Sequence, residues 1–240
     1  MKILAIDSTG NVASVAIVED DKLVGELTTN FKKTHAEMLM PMAAHLLDCT
    51  ETALSDIDYI ACASGPGSFT GLRIGAATAK GLAFGAKRLI IPVPTLDALA
   101  YNVFNPTELI VPIMDARRQQ VYTAFYTWSG GALARLSDYA ALDVREMTGV
   151  LAAYSKKVVF LGDGVPVFKE MLEASGLDCT FAPAHINQQR AAAVGALALR
   201  LVQKDSAAAV EGKAFAPFYL RQSQAEREYE EKKKQETKEL

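Results

Sequence analysis

KILAIDSTGNVASVAIVEDDKLVGELTT, residues 2–29, decides the fold. Residues 2–7 form an apolar run that ends on Asp7. Residues 12–19 are rich in valine, Asp20-Asp21 makes a turn, and 22–29 return as a third strand. Three strands joined by connections this short form an antiparallel meander, because a parallel pair needs a crossover of a dozen residues or more. No helix fits between residues 8 and 30, which excludes a doubly wound dinucleotide-binding start.

Helical periodicity follows over 34–50, with Met38, Leu39, Met42, Ala43, Leu46 and Leu47 on one face. Thr34 with Glu37 three residues on is a capping box. Residues 59–63 read as a buried strand, Gly65-Pro66-Gly67 as a sharp turn, and 68–84 as a helix. A strand over 89–93 and a short helix over 95–103 complete the unit.

The opening then recurs. Residues 109–115 are again a strand that ends on aspartate. Residues 120–128 read as one long strand, 129–131 as a turn and 132–136 as the return. Placing Asp115 on Asp7 lays Val121–Phe125 over Ala13–Ile17. A strand at 158–161, the turn Gly162-Asp163-Gly164 and a helix over 165–175 follow, then an alanine-rich helix over 188–204. A repeat of this period means two related domains rather than a solenoid. The pattern fits an α/β, actin-like ATPase fold: two β-β-β-α-β-α domains with a cleft between them. The divisions are 1–103, 104–187, a returning segment 188–221, and a charged, solvated tail 222–240.

Composition limits the function. Half of the 240 residues are hydrophobic and the net charge is −3, which argues against a protein that grips nucleic acid alone through a broad basic surface. Three widely spaced cysteines show no disulfide framework and no CxxC pair. No run is long enough to span a bilayer and no secretory leader is apparent. A cytoplasmic protein with no membrane partner is expected.

Asp7-Ser8-Thr9, Asp115 and Gly162-Asp163-Gly164 would face one another across the cleft. A carboxylate there can hold hydrated magnesium, and the hydroxyls and amides can meet phosphates. The competing reading of Asp7-Ser8-Thr9 is an Asx/ST turn between two strands. Gly65-Pro66-Gly67-Ser68 lacks the lysine of a phosphate-binding loop. In the helix after it, Gly71, Gly75, Ala79 and Ala83 repeat every fourth residue, with Ala76 beside them. Interior glycines weaken a helix by roughly 1 kcal/mol each, so close backbone approach is expected there. The approach is either to this domain's own sheet or to another molecule. Because Leu72, Ile74, Leu82 and Phe84 already supply an apolar face, the stripe is read as intermolecular. Met38, Met40 and Met42 would suit an adaptable surface. His35 and His45 stand ten residues apart and His185 stands alone, so no zinc motif is present.

ILAIDST at 3–9, THAEMLMP at 34–41, SGPGSFTGLR at 64–73, DARRQQVY at 115–122 and PFYLR at 217–221 together resemble the bacterial TsaB (YeaZ) family of tRNA threonylcarbamoyladenosine biosynthesis proteins. The resemblance spans about residues 1–221. It implies an actin-like scaffold without catalysis, which pairs with the related transferase TsaD and with the ATPase TsaE. It implies no required cofactor, with weak nucleotide binding in the cleft left open, and contact with tRNA only through the complex. The metal-holding HxxxH of TsaD would fall on Thr95 and Leu99 here, and neither carries an imidazole. The family pairs through its first two helices, as a homodimer when alone. That places His35, Met38, Leu39 and Met42 at the contact, with Leu72, Gly75, Ala76, Ala79 and Ala83. The alternative is an active actin-like ATPase or small-molecule kinase using Asp7 and Asp115. Old family labels of glycoprotease would require a metal.

Overall fold

The computed structural model describes residues 1–31 and 34–221. The charged tail, 222–240, lies outside the described residues. The first sheet has the order β3-β2-β1-β4-β5, built from β1 (Lys2–Asp7), β2 (Ala13–Glu19), β3 (Lys22–Thr29), β4 (Tyr59–Gly65) and β5 (Leu89–Pro94). β1, β2 and β3 form the antiparallel meander, and β4 and β5 add in parallel. The parallel additions need crossovers, which are α1 (His35–Cys49) and α2 (Phe69–Ala86).

Both faces of this sheet are covered, which is why β1 is apolar at successive positions. Leu4 and Ile6 point into one core with Leu39, Met42, Ala79 and Ala83 of α1 and α2. Ile3 and Ala5 point into the other, with α3 (Thr95–Tyr101) and α6 (Ala191–Lys204). That second face is lined by Ala5, Ala16, Ala61 and Ala63, so the alanine-rich α6 sits close. A Cβ at Gly195 would stand 2.7 Å from Val18 Cγ2. The N-terminal amides of α6 are satisfied by the sheet: Ala191 N donates to Ser14 Oγ (2.9 Å) and Ala192 N to Glu26 Oε1 (3.0 Å). The expected capping box forms at the start of α1, where Thr34 N donates to Glu37 Oε2 (3.0 Å).

The second sheet repeats the plan. Its order is β10-β7-β6-β11-β12, with β8 and then β9 added beside β6. The strands are β6 (Leu109–Asp115), β7 (Gln120–Thr123), β8 (Tyr126–Ser129), β9 (Ala132–Arg135), β10 (Ala140–Asp143), β11 (Val158–Leu161) and β12 (Cys179–Phe181). The pairs Ile113↔Thr123 and Ile110↔Tyr126 share one register, so β7 and β8 run along β6 as the single long strand the sequence suggests. Only its outer partner changes, from β10 to β9. Asp7 pairs with Ser14 and Asp115 with Val121, so the overlay of the two halves is one residue out of step. Helices α4 (Val144–Ala152) and α5 (Val165–Glu173) pack on this sheet. The actin-like fold is therefore present as two copies of one topology.

The packing of α2 overturns one expectation. Gly71, Gly75, Ala76, Ala79 and Ala83 are buried against this chain's own β1 and β4, not offered to a partner. A Cβ at Gly71 would strike the Ser8 carbonyl, and one at Gly75 the Ser8 hydroxyl. Leu39, Met42 and Leu72 are also core residues. The reason is that the β1–β2 turn presses directly on the first turns of α2, and only glycine leaves room. The same helix carries a second set of small residues, Ala77, Gly81 and Gly85, on its exposed side. There Phe84 is 87% exposed, and a Cβ at Gly81 would meet no atom within 4 Å.

Candidate functional site

Asp7 ends β1 just below the cleft and is 1% exposed. Its Oδ1 accepts from Thr9 N (2.9 Å) and Thr9 Oγ1 (2.7 Å), an Asx turn, while Oδ2 is buried without a partner. Burial pushes its carboxyl up to about 6, against the opposing pull of the Thr9 bonds and the nearby His35. The Ser8 hydroxyl donates to Gly71 O (2.9 Å), and Ser68 N donates to Thr9 O (2.7 Å). The β1–β2 turn is thus locked onto the start of α2.

From the other sheet come Asp115 and Asp163. Asp115 Oδ1 accepts from Arg117 N (2.8 Å), and Oδ2 pairs with Arg117 Nη1 (3.1 Å). Asp163 Oδ1 accepts from Asp115 N (3.3 Å). Burial raises its carboxyl to about 6, and the charges of Asp115 and Asp7 push the same way. Gly162, with φ 110, takes a conformation that L side chains rarely adopt, and Gly164 N donates to Ile113 O (3.1 Å). The Gly162-Asp163-Gly164 turn is pinned beneath β6, holding Asp163 at the cleft.

Between the sheets lies a cleft of about 760 Å³. Thr9, Asp115 and Asp163 line it; Asp7, Ser8, Gly162 and Gly164 lie behind its walls. His35, expected at a partner contact, instead lines the cleft, where its Nε2–H donates to Gly10 O (2.9 Å). Two further contributors were not anticipated. Arg117, Arg118 and Gln119 all have positive φ (63, 57 and 60), a left-handed turn that costs about 1–2 kcal/mol per residue. It is braced by Gln120 N to Arg117 O (3.1 Å) and Val144 N to Gln119 O (3.2 Å), and it sets Arg117 against Asp115. The polar run 117–120 after a buried strand was the only hint of it.

The second is the segment after Phe215. Phe218 N donates to Ser64 O (2.7 Å), and a Cβ on Gly65 would strike the Phe218 carbonyl. Tyr219 packs on Phe69 (5.0 Å between rings), and Arg73 lies 4.0 Å over the same ring. Arg221 then reaches the other sheet, with Nη1 donating to Ala116 O (3.0 Å). This strap closes one side of the cleft and leaves no room for a side chain at Gly65, while Thr9 leaves none at Gly67.

A phosphate entering here would find Thr9 N, Ser68 N, Arg117 N and the Ser8 and Thr9 hydroxyls already bonded to protein oxygens. The Asp115 and Asp163 carboxylates stand beside them. The groups read as phosphate contacts are thus engaged within the protein in this arrangement. Thr95 and Leu99 serve packing: Thr95 Oγ1 accepts from Gly65 N (3.0 Å), and Leu99 is buried between the sheets. Between them Asp97 accepts from both Tyr126 Oη (2.7 Å) and Tyr139 Oη (2.8 Å), joining α3 to the second sheet. Burial, then the Asp97 charge, pushes both phenols upward. Among the described residues no three His, Cys, Asp or Glu side chains gather as a metal would require, and no helix is long and apolar enough to cross a membrane.

Across 98% of its length the chain is 34% identical to the tRNA threonylcarbamoyladenosine biosynthesis protein TsaB of Bacillus subtilis, all of which is covered. This chain belongs to the TsaB family. It is also 38% identical over 131 residues, 55% of that protein, to TsaB of Escherichia coli. The family model of TsaD, tRNA N6-adenosine threonylcarbamoyltransferase, matches residues 22–229. Among solved structures, YeaZ from Pseudomonas aeruginosa superposes with a TM-score of 0.75 at 28% identity, covering 91% of this chain and 99% of that one. Component A of (R)-2-hydroxyglutaryl-CoA dehydratase from Acidaminococcus fermentans shares the fold alone, with a TM-score of 0.51 at 11% identity over 85% of this chain and 99% of that chain. In this chain the Ser8 and Thr9 hydroxyls and the Asp115 carboxylate at the cleft are bonded to protein groups.

Proposed function

We propose that this TsaB-family chain is a non-catalytic subunit of cytoplasmic tRNA threonylcarbamoyladenosine biosynthesis. It pairs with a TsaD-like transferase through the exposed sides of α1 and α2, works with a TsaE-like ATPase, and self-pairs when alone. It meets tRNA only within that assembly. The observation that carries this reading is the outward face of α2, with Phe84 87% exposed over the small residues Ala77, Gly81 and Gly85. Met40, 48% exposed, extends the apolar surface onto α1. An interior glycine with nothing near it weakens the helix without helping this chain's own packing; a helix from another molecule would give it a purpose. The non-catalytic role is supported by Thr95 and Leu99, which fill the places of the metal-holding histidines with packing groups.

Reconstitution tests it. A TsaD-like protein and a TsaE-like protein, with tRNA, should form threonylcarbamoyladenosine only when this chain is added. Phe84→Asp should remove both the pairing and the stimulation while leaving the fold intact by circular dichroism. Full modification without this chain, or with the Phe84→Asp variant, would refute the proposal. In the second reading, an ATPase or kinase, Asp7→Ala would abolish the activity while leaving pairing intact. The second reading draws on Asp163, which lines the cleft with its Oδ1 held by Asp115 N.

A further inference from the structure

Arg73, Ala77, Gly81 and Gly85 follow one another at every fourth position and are all exposed, so they form one row along the outer side of α2. Arg73 opens the row. Its guanidinium lies 4.0 Å over the ring of Phe69, one turn back. The same ring packs on Tyr219, at 5.0 Å between centroids. Tyr219 belongs to the strap that joins the two sheets, through Phe218 N to Ser64 O (2.7 Å) and Arg221 Nη1 to Ala116 O (3.0 Å). Phe69, Thr70 and Ile74 of α2 line the cleft together with Tyr219, Leu220 and Arg221. The first turns of α2 therefore have the outer row on one side and the strapped cleft on the other.

We propose that pairing on the outer row of α2 holds the cleft shut, through the stack of Arg73 on Phe69 and of Phe69 on Tyr219. The strap has two states. In the closed one, seen here, it joins both sheets. In the open one Tyr219 leaves Phe69, and the bonds to Ser64 and Ala116 are broken. The closed state is lightly held, with Phe218 42% and Tyr219 37% exposed, as befits a segment that opens locally. Water screens a cation over an exposed ring, and excluding that water strengthens the contact enough to shift an equilibrium roughly fivefold to tenfold. A partner helix laid along the row covers Arg73 and excludes the water. The flat guanidinium can meet an acceptor on the partner with its edge while its face stays on Phe69. Such coupling is reciprocal, so an occupant that enters only past an open strap weakens pairing by the same factor. The inference rests on the α1–α2 pairing proposed above and adds what that pairing does to the cleft.

The Phe218 amide reports strap opening, because it exchanges with solvent only when its bond to Ser64 O breaks. Hydrogen exchange is followed by mass spectrometry on peptides spanning the strap, in the full-length chain from dilute to concentrated, with light scattering giving the mass at each step. Exchange should slow roughly fivefold or more as the chain pairs. In Phe84→Asp it should stay at the dilute rate throughout. Arg73→Ala should remove the dependence on pairing, and Arg73→Lys, which keeps the cation, should retain part of it. Tyr219→Ala, a change off the outer row, should weaken pairing by the same factor that pairing slows exchange. Strap exchange that ignores pairing, or slows as much in Arg73→Ala as in the parent, would overturn the proposal and leave the strap a fixed brace. Pairing untouched by Tyr219→Ala would do the same. A chain that stays monomeric at every concentration and leaves a TsaD-like protein unbound overturns the pairing itself, and this inference with it.

Discussion

Gly75 and Gly81 lie six residues apart in one helix, and replacing each by alanine should have opposite effects. Alanine is favoured over glycine in a helix interior by roughly 1 kcal/mol. At Gly81 a Cβ meets no atom within 4 Å, so the isolated chain should gain most of that 1 kcal/mol. At Gly75 the Cβ strikes the Ser8 hydroxyl, which donates to Gly71 O at 2.9 Å. Forcing a methyl into such a core costs about 1–3 kcal/mol, and breaking the buried hydrogen bond costs about 1 kcal/mol more. After the propensity gain, Gly75→Ala should lose about 1–3 kcal/mol. For a chain of this size each kilocalorie moves the melting temperature by about 2–4 °C. Urea unfolding in a Phe84→Asp background keeps dimerisation out of the comparison. In the background without that change, Gly81→Leu should weaken self-association by light scattering while leaving the fold intact. A Gly75→Ala protein as stable as its parent, or a Gly81→Ala monomer that is destabilised, would refute the packing assignment of the two faces.

Burial pushes the Asp7 carboxyl up to about 6 in the folded chain, against about 3.9 for a free carboxyl, so the native state holds its proton more tightly. Its contribution to stability is full below about pH 4 and is lost as pH rises through 6, of order 2–3 kcal/mol at most. Asp7→Asn should therefore remove part of the decline between pH 4 and 6, and parallel urea-stability profiles for the two proteins would count against it. Asp97→Ala leaves the Tyr126 and Tyr139 hydroxyls without their shared acceptor and should lower stability by about 2–4 kcal/mol in the same assay. Arg118→Gly should stabilise the chain by about 0.5–1 kcal/mol, because glycine accepts φ 57 without strain while losing more unfolded-state freedom. No change in melting temperature would mean that the neighbours, not the backbone, set that turn.

The meander and its repetition were legible because they depend on local rules. Strand length, the turn at Asp20-Asp21 and the buried runs ending on Asp7 and Asp115 are written within a few residues of each other. The cap at Thr34 and Glu37 is equally local. What escaped notice was either short or long-range. Helix α4 has nine residues with Gly149 inside, and β12 has three residues, too few for a periodic signal. A return of 188–221 toward the first domain was expected, but nothing local in PFYLR predicts its particular contacts at Ser64 and Ala116, more than a hundred residues away.

The small-residue stripe of α2 shows why the site was harder to read than the fold. A row of glycine and alanine at every fourth position says that something approaches closely, and composition cannot say what. In this helix two such rows coexist. One faces inward, where the Ser8 carbonyl and hydroxyl sit against Gly71 and Gly75; the other faces solvent at Ala77, Gly81 and Gly85. The inward row is fixed by a sheet contact 63 residues away, between Ser8 Oγ and Gly71 O. That contact also removes Ser8 from the cleft, and with Thr9 clamped on Asp7 it leaves the β1–β2 turn no free hydroxyl for a phosphate. The close packing that seats α2 and the engagement of the Ser8 hydroxyl within the protein are therefore one structural event. Any variant that opens the β1–β2 turn must also loosen the helix that carries Phe84.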